Sequence, residues 1–122
     1  MDDDVEKAAI GALTDRLTHI LRQTEGALRD DVMPFWTRNT WDQEHGGFLT
    51  RLDRQGNLTD TSEKILMMQA RMIISLSAAH VFGITDRGYL ELAGKGFDYL
   101  TSAMWDAKDG GFFFSVTRDG KV

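Results

Sequence analysis

Apolar residues recur at spacings of three and four along much of this chain, a pattern that predicts helices. The first helix is expected at 5–28, where charged and polar residues occupy the opposite side. Its apolar stripe consists of Ala9, Leu13, Leu17, Ile20, Leu21 and Leu28. A short amphipathic segment at 30–38 continues this helix, with a break expected near Pro34, because a proline has no N–H to donate.

Two further helices are predicted, at 65–82 and from Asp86 to about 104. The segment 65–82 is apolar almost all round, which is typical of a helix buried on most sides. Residues 61–63 are expected to open it, with Thr61 as the N-cap, and Gly83 is expected to end it. The apolar stripe of the last helix consists of Tyr89, Leu90, Leu92, Ala93, Phe97, Leu100 and Met104.

An internal repeat separates these helices: WDQEHGGF at 41–48 returns as WDAKDGGF at 105–112, an offset of 105 − 41 = 64 residues. Across 41–56, seven positions are identical to their partners 64 residues later, where chance gives roughly one. In each copy the Gly-Gly pair permits a tight turn, and the apolar run and glycine-containing turn that follow predict a β-hairpin. The repeated Asp42 and Asp106 are expected to shape these turns rather than to form a catalytic pair.

The period of 64 residues is longer than the roughly 34–47 residues of short helical repeats, and it favours a toroid of helix pairs. The chain holds just under two units, at about 1–58 and 59–122. Helical repeats generally need about three units or more to bury their faces. We therefore expect 1–122 to be a single partial domain, the N-terminal part of a longer protein.

The amino-acid composition limits the classes of partner and the kinds of site expected for this domain. Fourteen Lys and Arg against nineteen Asp and Glu give a net charge of −5, which disfavours nucleic acid and anionic membranes as partners. The absence of cysteine excludes disulfides and cysteine-ligated zinc. The acidic start and the lack of a long apolar run predict a cytoplasmic protein with no membrane span.

The combination of these motifs resembles the N-acylglucosamine 2-epimerase family, which includes cellobiose 2-epimerases and mannose or sulfoquinovose aldose–ketose isomerases. The matching segments are DVMPFW at 31–36, HGGF at 45–48, LDRQG at 52–56, DT at 60–61, QAR at 69–71, WD at 105–106, GG at 110–111, SV at 115–116 and DG at 119–120. The resemblance covers about 20–122. It implies an all-α fold with short hairpins in its loops, the first two helix pairs and first third of an (α/α)6 barrel.

Arg71, in the Gln-x-Arg motif, is the expected substrate-binding residue. Met67, Met68 and Ile74 lie on neighbouring turns, so a largely buried environment is expected, in which a guanidinium needs acceptors. The resemblance implies that this arginine binds sugar oxygens and stabilises the developing enediolate oxygen. From the residues alone, an ion pair with a carboxylate such as Glu63 is an equal alternative.

The chemistry that the resemblance implies is proton abstraction at C2 of an open-chain sugar, through an enediol, by two histidines acting as base and acid. These histidines lie beyond Val122, so no catalytic residue is expected in this chain, and the chain alone is expected to be inactive. His19, His45 and His80 do not match them and lack the spacing of metal ligands. No metal and no cofactor are expected, because enolisation needs only an acid, a base and a group that stabilises the anion.

The predicted partner is a mono- or disaccharide substrate, and a homodimer is an open alternative to a monomer. The residues leave open which sugar is used and whether it is epimerised or isomerised. A competing hypothesis is a non-catalytic helical-repeat module that binds a partner or oligomerises through its unpaired helix faces. A glycosidase would need two carboxylates placed across a sugar, and no such pair stands out.

Overall fold

The N-terminal helix α1 spans Asp3–Gly26 in the computed structural model, which describes residues 2–60 and 62–122. Asp2 caps it, since its Oδ1 accepts the N–H of Asp4 at 3.4 Å. A π-helical segment, Ala27–Val32, follows directly and leads into helix α2, Met33–Thr40. None of the described side chains of α1 is buried, although its apolar stripe has the predicted spacing.

The expected break near Pro34 takes the form of this π-helical segment. The N–H of Met33 donates to the carbonyl of Leu28, five residues back, rather than to the residue four back. Pro34 follows at once and has no N–H to continue the regular ladder. The irregular hydrogen bonds therefore lie just before the proline, and the backbone stays helical through it.

The structure divides into two compact units, one ending at Pro34 and one comprising Phe35–Val122. The second unit contains both repeated loops, four short strands and the last two helices. Strands β1 (Arg51–Leu52) and β2 (Leu58–Asp60) form the predicted antiparallel hairpin of the first loop. Strand β3 (Glu63–Ile65) instead pairs with β4 (Ser115–Thr117), in the register Lys64 opposite Val116.

The second predicted hairpin, after the second loop, differs from the prediction in the strand with which it pairs. Its turn forms as expected, because Thr117 donates to the carbonyl of Lys121 just as Asp53 donates to that of Asn57. The strand before that turn, however, pairs with β3, which lies near the start of the second repeat and precedes its first helix. Residues 61–63 were expected to open the next helix, but Glu63 begins β3 and the helix starts at Leu66, while Thr61 lies outside the described residues.

Helix α3 spans Leu66–Val81 and helix α4 spans Tyr89–Ala103, and together they form a helical hairpin. Gly83 ends α3 as predicted, with φ +107° and its N–H donated to the carbonyl of His80. Helix α4 begins three residues later than Asp86, after Gly88 in the left-handed conformation. Helix α1, by contrast, runs through the π-helical segment into α2 without a loop.

The core of the second unit lies where this hairpin meets the first loop. Its buried members are Phe48, Leu49, Met72, Leu76, Ala79, Ile84, Tyr89, Ala93, Tyr99, Met104 and Val116. Gly96 of α4 takes part as well, because a Cβ there would stand 2.8 Å from the ring of Phe48 and 3.1 Å from Ile73. The absence of a side chain at Gly96 thus allows loop and helices to pack closely.

The burial predicted for the last two helices is confirmed only in part. Helix α3 buries only one side, while Met67 and Ile74 on the other are 51% and 66% exposed. In the predicted stripe of α4, Tyr89, Ala93 and Met104 are buried as expected, whereas Leu90 and Phe97 are exposed. An apolar helix face can pack against other elements, but whether it is buried depends on which elements lie next to it. Among the described helices, none is long and apolar enough to cross a membrane.

Candidate functional site: a loop held by the next repeat, beside Arg71

The first repeated loop, 41–48, is organised around the side chain of Asp42. Its Oδ1 accepts the N–H of Glu44 at 3.0 Å and that of His45 at 3.3 Å. Gly46 and Gly47 follow at φ +73° and +75°, values that favour glycine. Trp41 and Phe48 then lie opposite each other in an antiparallel bridge.

The second loop, 105–112, has the same geometry. Asp106 Oδ1 accepts the N–H of Lys108 at 2.9 Å and that of Asp109 at 3.1 Å. Gly110 and Gly111 have φ +77° and +83°, and each loop's Trp and Phe rings pack edge to face at 5.1 Å. The turn-shaping role predicted for both aspartates is confirmed, and the repeat extends to backbone hydrogen bonds.

A buried cluster of charges holds the first loop in place. Lys64 on β3 is fully buried, and its Nζ lies 2.8 Å from Asp42 Oδ2, 2.5 Å from the carbonyl of Gly46 and 2.8 Å from that of Arg118. The guanidinium of Arg118 binds Asp42 with two hydrogen bonds, Nε to Oδ2 at 3.0 Å and Nη2 to Oδ1 at 3.2 Å. One carboxylate thereby joins the loop to β3 and to the turn after β4.

These contacts alter the proton affinity of the groups involved. Burial alone would raise the pKa of Asp42, but hydrogen bonds from Arg118, Lys64 and the loop backbone hold it well below its usual range. Burial lowers the pKa of Lys64, and the neighbouring Asp42 carboxylate opposes that change. The cluster therefore contains an ionised carboxylate at neutral pH, stabilised by cations of the following repeat.

Tyr99 on α4 covers the same loop. A Cβ at Gly47 would stand 2.6 Å from its ring, so a residue without a side chain is needed there. Lys64 Nζ lies 5.1 Å from the centre of that ring, a cation–π distance. Burial raises the pKa of Tyr99, and the charge of Asp42 raises it further.

Gln69 on α3 binds the backbone of the loop with both ends of its amide. Its Oε1 accepts the N–H of Phe48 at 2.7 Å, and its Nε2 donates to the carbonyl of Phe48 at 2.7 Å. Both residues are fully buried, so the amide satisfies two backbone groups that have no access to water. This fixes the first turn of α3 against the loop.

Arg71 follows Gln69 by two residues and lies on the exposed side of α3. Met67 and Ile74 are its exposed neighbours one turn away on the same face. The expectation of a buried environment is wrong for this chain, because α3 turns this face away from α4 and the loop. The alternative of an ion pair with Glu63 is not observed among the described residues.

The three histidines lie in different elements. His19 is on α1 and His80 is in the last turn of α3. The Nδ1 of His45 lies 3.7 Å from Asp42 Oδ2. It is the backbone N–H of His45, rather than its imidazole ring, that takes part in the loop's hydrogen bonds. Over residues 2–60 and 62–122, no group of three His, Asp or Glu side chains could hold a metal ion.

The model of the N-acylglucosamine 2-epimerase (GlcNAc 2-epimerase) family matches residues 46–122, more than half of the chain. The chain belongs to this family. The match includes Gln69, Arg71 and the second loop, so the resemblance drawn from the motifs is confirmed.

Individual members of the epimerase family agree with this assignment. The chain is 29% identical over 106 residues to a cellobiose 2-epimerase from Bacteroides fragilis, covering 86% of this chain and 27% of that protein. It is 39% identical over 54 residues to N-acylglucosamine 2-epimerase from Rattus norvegicus, covering 44% of this chain and 13% of that protein. The solved structure of cellobiose 2-epimerase from Spirochaeta thermophila superposes with a TM-score of 0.80 at 35% identity, covering 89% of this chain and 26% of that one.

The chain therefore spans about a quarter of the length of the cellobiose 2-epimerases that it matches. Sequence reasoning on the epimerase motifs missed the roles of Lys64 and Arg118. Lys64 is a lone cation just before an apolar helix, and Arg118 repeats Arg54. The repeat could have drawn attention to Arg118, but only the pairing of β3 with β4 brings both to Asp42.

Proposed function

We propose that this chain is part of a sugar 2-epimerase or aldose–ketose isomerase with an (α/α)6 barrel, and that Arg71 binds the substrate. The observation that carries the proposal is the family match together with the position of Arg71. Gln69 holds the start of α3 rigidly against the loop, and Arg71 extends from the uncovered side of the same helix. A helix held in place in this way, with an arginine between the exposed side chains of Met67 and Ile74, could form one side of a sugar-binding site.

In the proposed reaction a base removes the proton from C2 of the open-chain sugar, and the carbonyl oxygen gains negative charge as the enediolate forms. Arg71 would donate hydrogen bonds to that oxygen, because a guanidinium stays protonated and offers several donors in one plane. Return of the proton to the other face of C2 gives the epimer, and its delivery to C1 gives the ketose. We propose that two histidines outside 1–122 transfer these protons.

The test replaces Arg71 in the longer protein and follows exchange of the C2 proton with deuterium from solvent, on cellobiose, N-acylglucosamine and mannose in turn. Arg71→Ala is expected to lower kcat/KM by about 100-fold, the usual effect of removing one donor to a developing oxyanion. Arg71→Lys is expected to recover part of that loss, since it keeps the charge but not the planar pair of donors.

Arg16→Ala is the matched control, because Arg16 is an exposed arginine within a helix, on α1. Equal activity of the Arg71→Ala and Arg16→Ala proteins would contradict the role of Arg71. The 122-residue chain alone is expected to show no exchange at C2, and detectable exchange would show that the proton-transferring groups lie within it.

A further inference from the structure

The two repeated loops have the same backbone but opposite surroundings. Phe48 of the first loop is fully buried, whereas Phe112 of the second is 42% exposed, and Trp105 beside it is 45% exposed. Gly47 is buried against Tyr99, whereas nothing lies within 4 Å of a Cβ built on Gly111. The two loops therefore differ in what packs against them, since the hydrogen bonds that shape each loop are the same.

The groups that cover the first loop all come from the second repeat, 59–122. Lys64 binds the loop carboxylate and a loop carbonyl, Gln69 binds both backbone groups of Phe48, and Tyr99 covers the glycines. In the second loop the corresponding groups are the Oδ2 of Asp106 and the N–H and C=O of Phe112. Within the described chain, none of these three makes a hydrogen bond.

This inference rests on the proposed barrel, in which a third repeat follows the second: we propose that the third repeat holds the second loop with a lysine on a short strand and a glutamine five residues later on the helix that follows. The lysine would bind Asp106 and the glutamine would bind the backbone of Phe112, as Lys64 and Gln69 do one repeat earlier. The occupant follows from continuity with the interface already present between the repeats and from the charge of the uncovered carboxylate.

One feature of the second loop refines the expected partner. Lys108 stands where the first loop has Glu44, whose carboxylate lies 3.6 Å from Arg118. A second cation placed like Arg118 would approach Lys108 and be repelled. The lysine and the glutamine, rather than an arginine, are therefore the chemical signature of the third repeat.

A second copy of this chain is the competing occupant, and the structure argues against it. Lys64 and Gln69 already bind the first loop of their own chain and are fully buried there. A second copy would have to break these contacts before it could offer the same groups. A repeat whose lysine and glutamine are still unpaired has no such cost.

The proposal is tested by extending the full chain with a second copy of residues 59–122, in which Arg118 is replaced by glutamine, placed directly after Val122. This keeps the register, since 123 − 59 = 64 residues is the offset of the natural repeat. The appended copy is expected to fold, and exchange of the Phe112 amide with solvent deuterium is expected to slow by about 100-fold relative to the 122-residue chain. Gln69→Leu in the appended copy alone is expected to abolish that protection.

Charge variants provide a second measurement, by urea unfolding. Asp106→Asn is expected to lower the stability of the extended chain more than that of the 122-residue chain, while the control Asp109→Asn affects both equally. Asp109 is an exposed carboxylate of the same loop. Unchanged exchange of Phe112, protection that survives the glutamine substitution, or an appended copy that stays unfolded would each overturn the proposal. Protection of Phe112 in the 122-residue chain that rises with concentration would assign the site to a second copy instead.

Discussion

Gln69 shows how one side chain determines the placement of two elements. A buried amide has a donor and an acceptor at fixed spacing, which matches the N–H and C=O of a single residue in extended backbone. The sequence identified Gln69 as part of a motif, but the motif's resemblance to a family assigned a role only to Arg71. The structure gives the two residues separate tasks: Gln69 holds α3 to the loop, and Arg71 remains free of the core.

Gln69→Leu is expected to destabilise the chain by about 3 kcal/mol, because the N–H and C=O of Phe48 would both be buried without partners. Leucine has a similar size, so the loss would come from hydrogen bonding rather than from a cavity. Urea unfolding followed by circular dichroism measures the change. Gln43→Leu, at an exposed glutamine of the same loop, is the control, and equal stability of the two variants would refute this role for Gln69.

At the scale of elements, the two Gly-Gly loops separate backbone strain from steric contact. Gly47 and Gly111 have nearly the same positive φ, +75° and +83°, yet only Gly47 faces the ring of Tyr99. A side chain at either position strains the backbone, whereas a side chain at Gly47 also collides with α4. The pair is therefore a natural comparison within one molecule.

Gly111→Ala is expected to cost about 1 kcal/mol from the left-handed backbone alone. Gly47→Ala is expected to cost at least twice as much, because the Cβ would lie 2.6 Å from Tyr99 and would push α4 from the loop. Thermal unfolding of both variants measures the difference. If the two substitutions lowered stability equally, the close approach of Gly47 to Tyr99 would not contribute to the free energy of unfolding.

At the scale of the whole second unit, the ion cluster at Asp42 connects residues far apart in sequence and makes stability depend on pH. The pKa of Asp42 is lowered in the folded state relative to its ordinary value of 3.8. The unfolded chain therefore takes up a proton at a higher pH than the folded chain does. The stabilisation is complete above about pH 5 and is lost as the pH falls through 4 and below.

We expect the free energy of unfolding to decline from pH 5 to pH 3, and to decline less steeply in the double variant Asp42→Asn with Lys64→Met. The double variant removes a buried ion pair as a unit, which proteins tolerate better than the loss of one partner. Urea titrations at several pH values measure both slopes. Asp53 and Asp119, whose pKa values are also lowered, are present in both proteins and contribute equally. Identical slopes would show that Asp42 does not contribute to the acid sensitivity.

Features that depend on local chemistry could be predicted from the amino-acid sequence. The 64-residue repeat, the turns shaped by Asp42 and Asp106, the end of α3 at Gly83 and the family all follow from short segments whose residue types have few conformational options. A Gly-Gly pair after an Asx turn, or a glycine after an apolar helix, specifies its own backbone without help from distant residues.

Which of these segments are covered depends on long-range packing and could not be predicted from the sequence. The tertiary structure paired β3 with β4, placed Lys64 and Arg118 on Asp42, and left Arg71 and the second loop exposed. The physical reason is that burial depends on partners distant in sequence: two loops with nearly the same residues become a core or a surface according to what packs on them. For the same reason the apolar circumference of α3 predicted burial on most sides, while its neighbours in this chain cover one side.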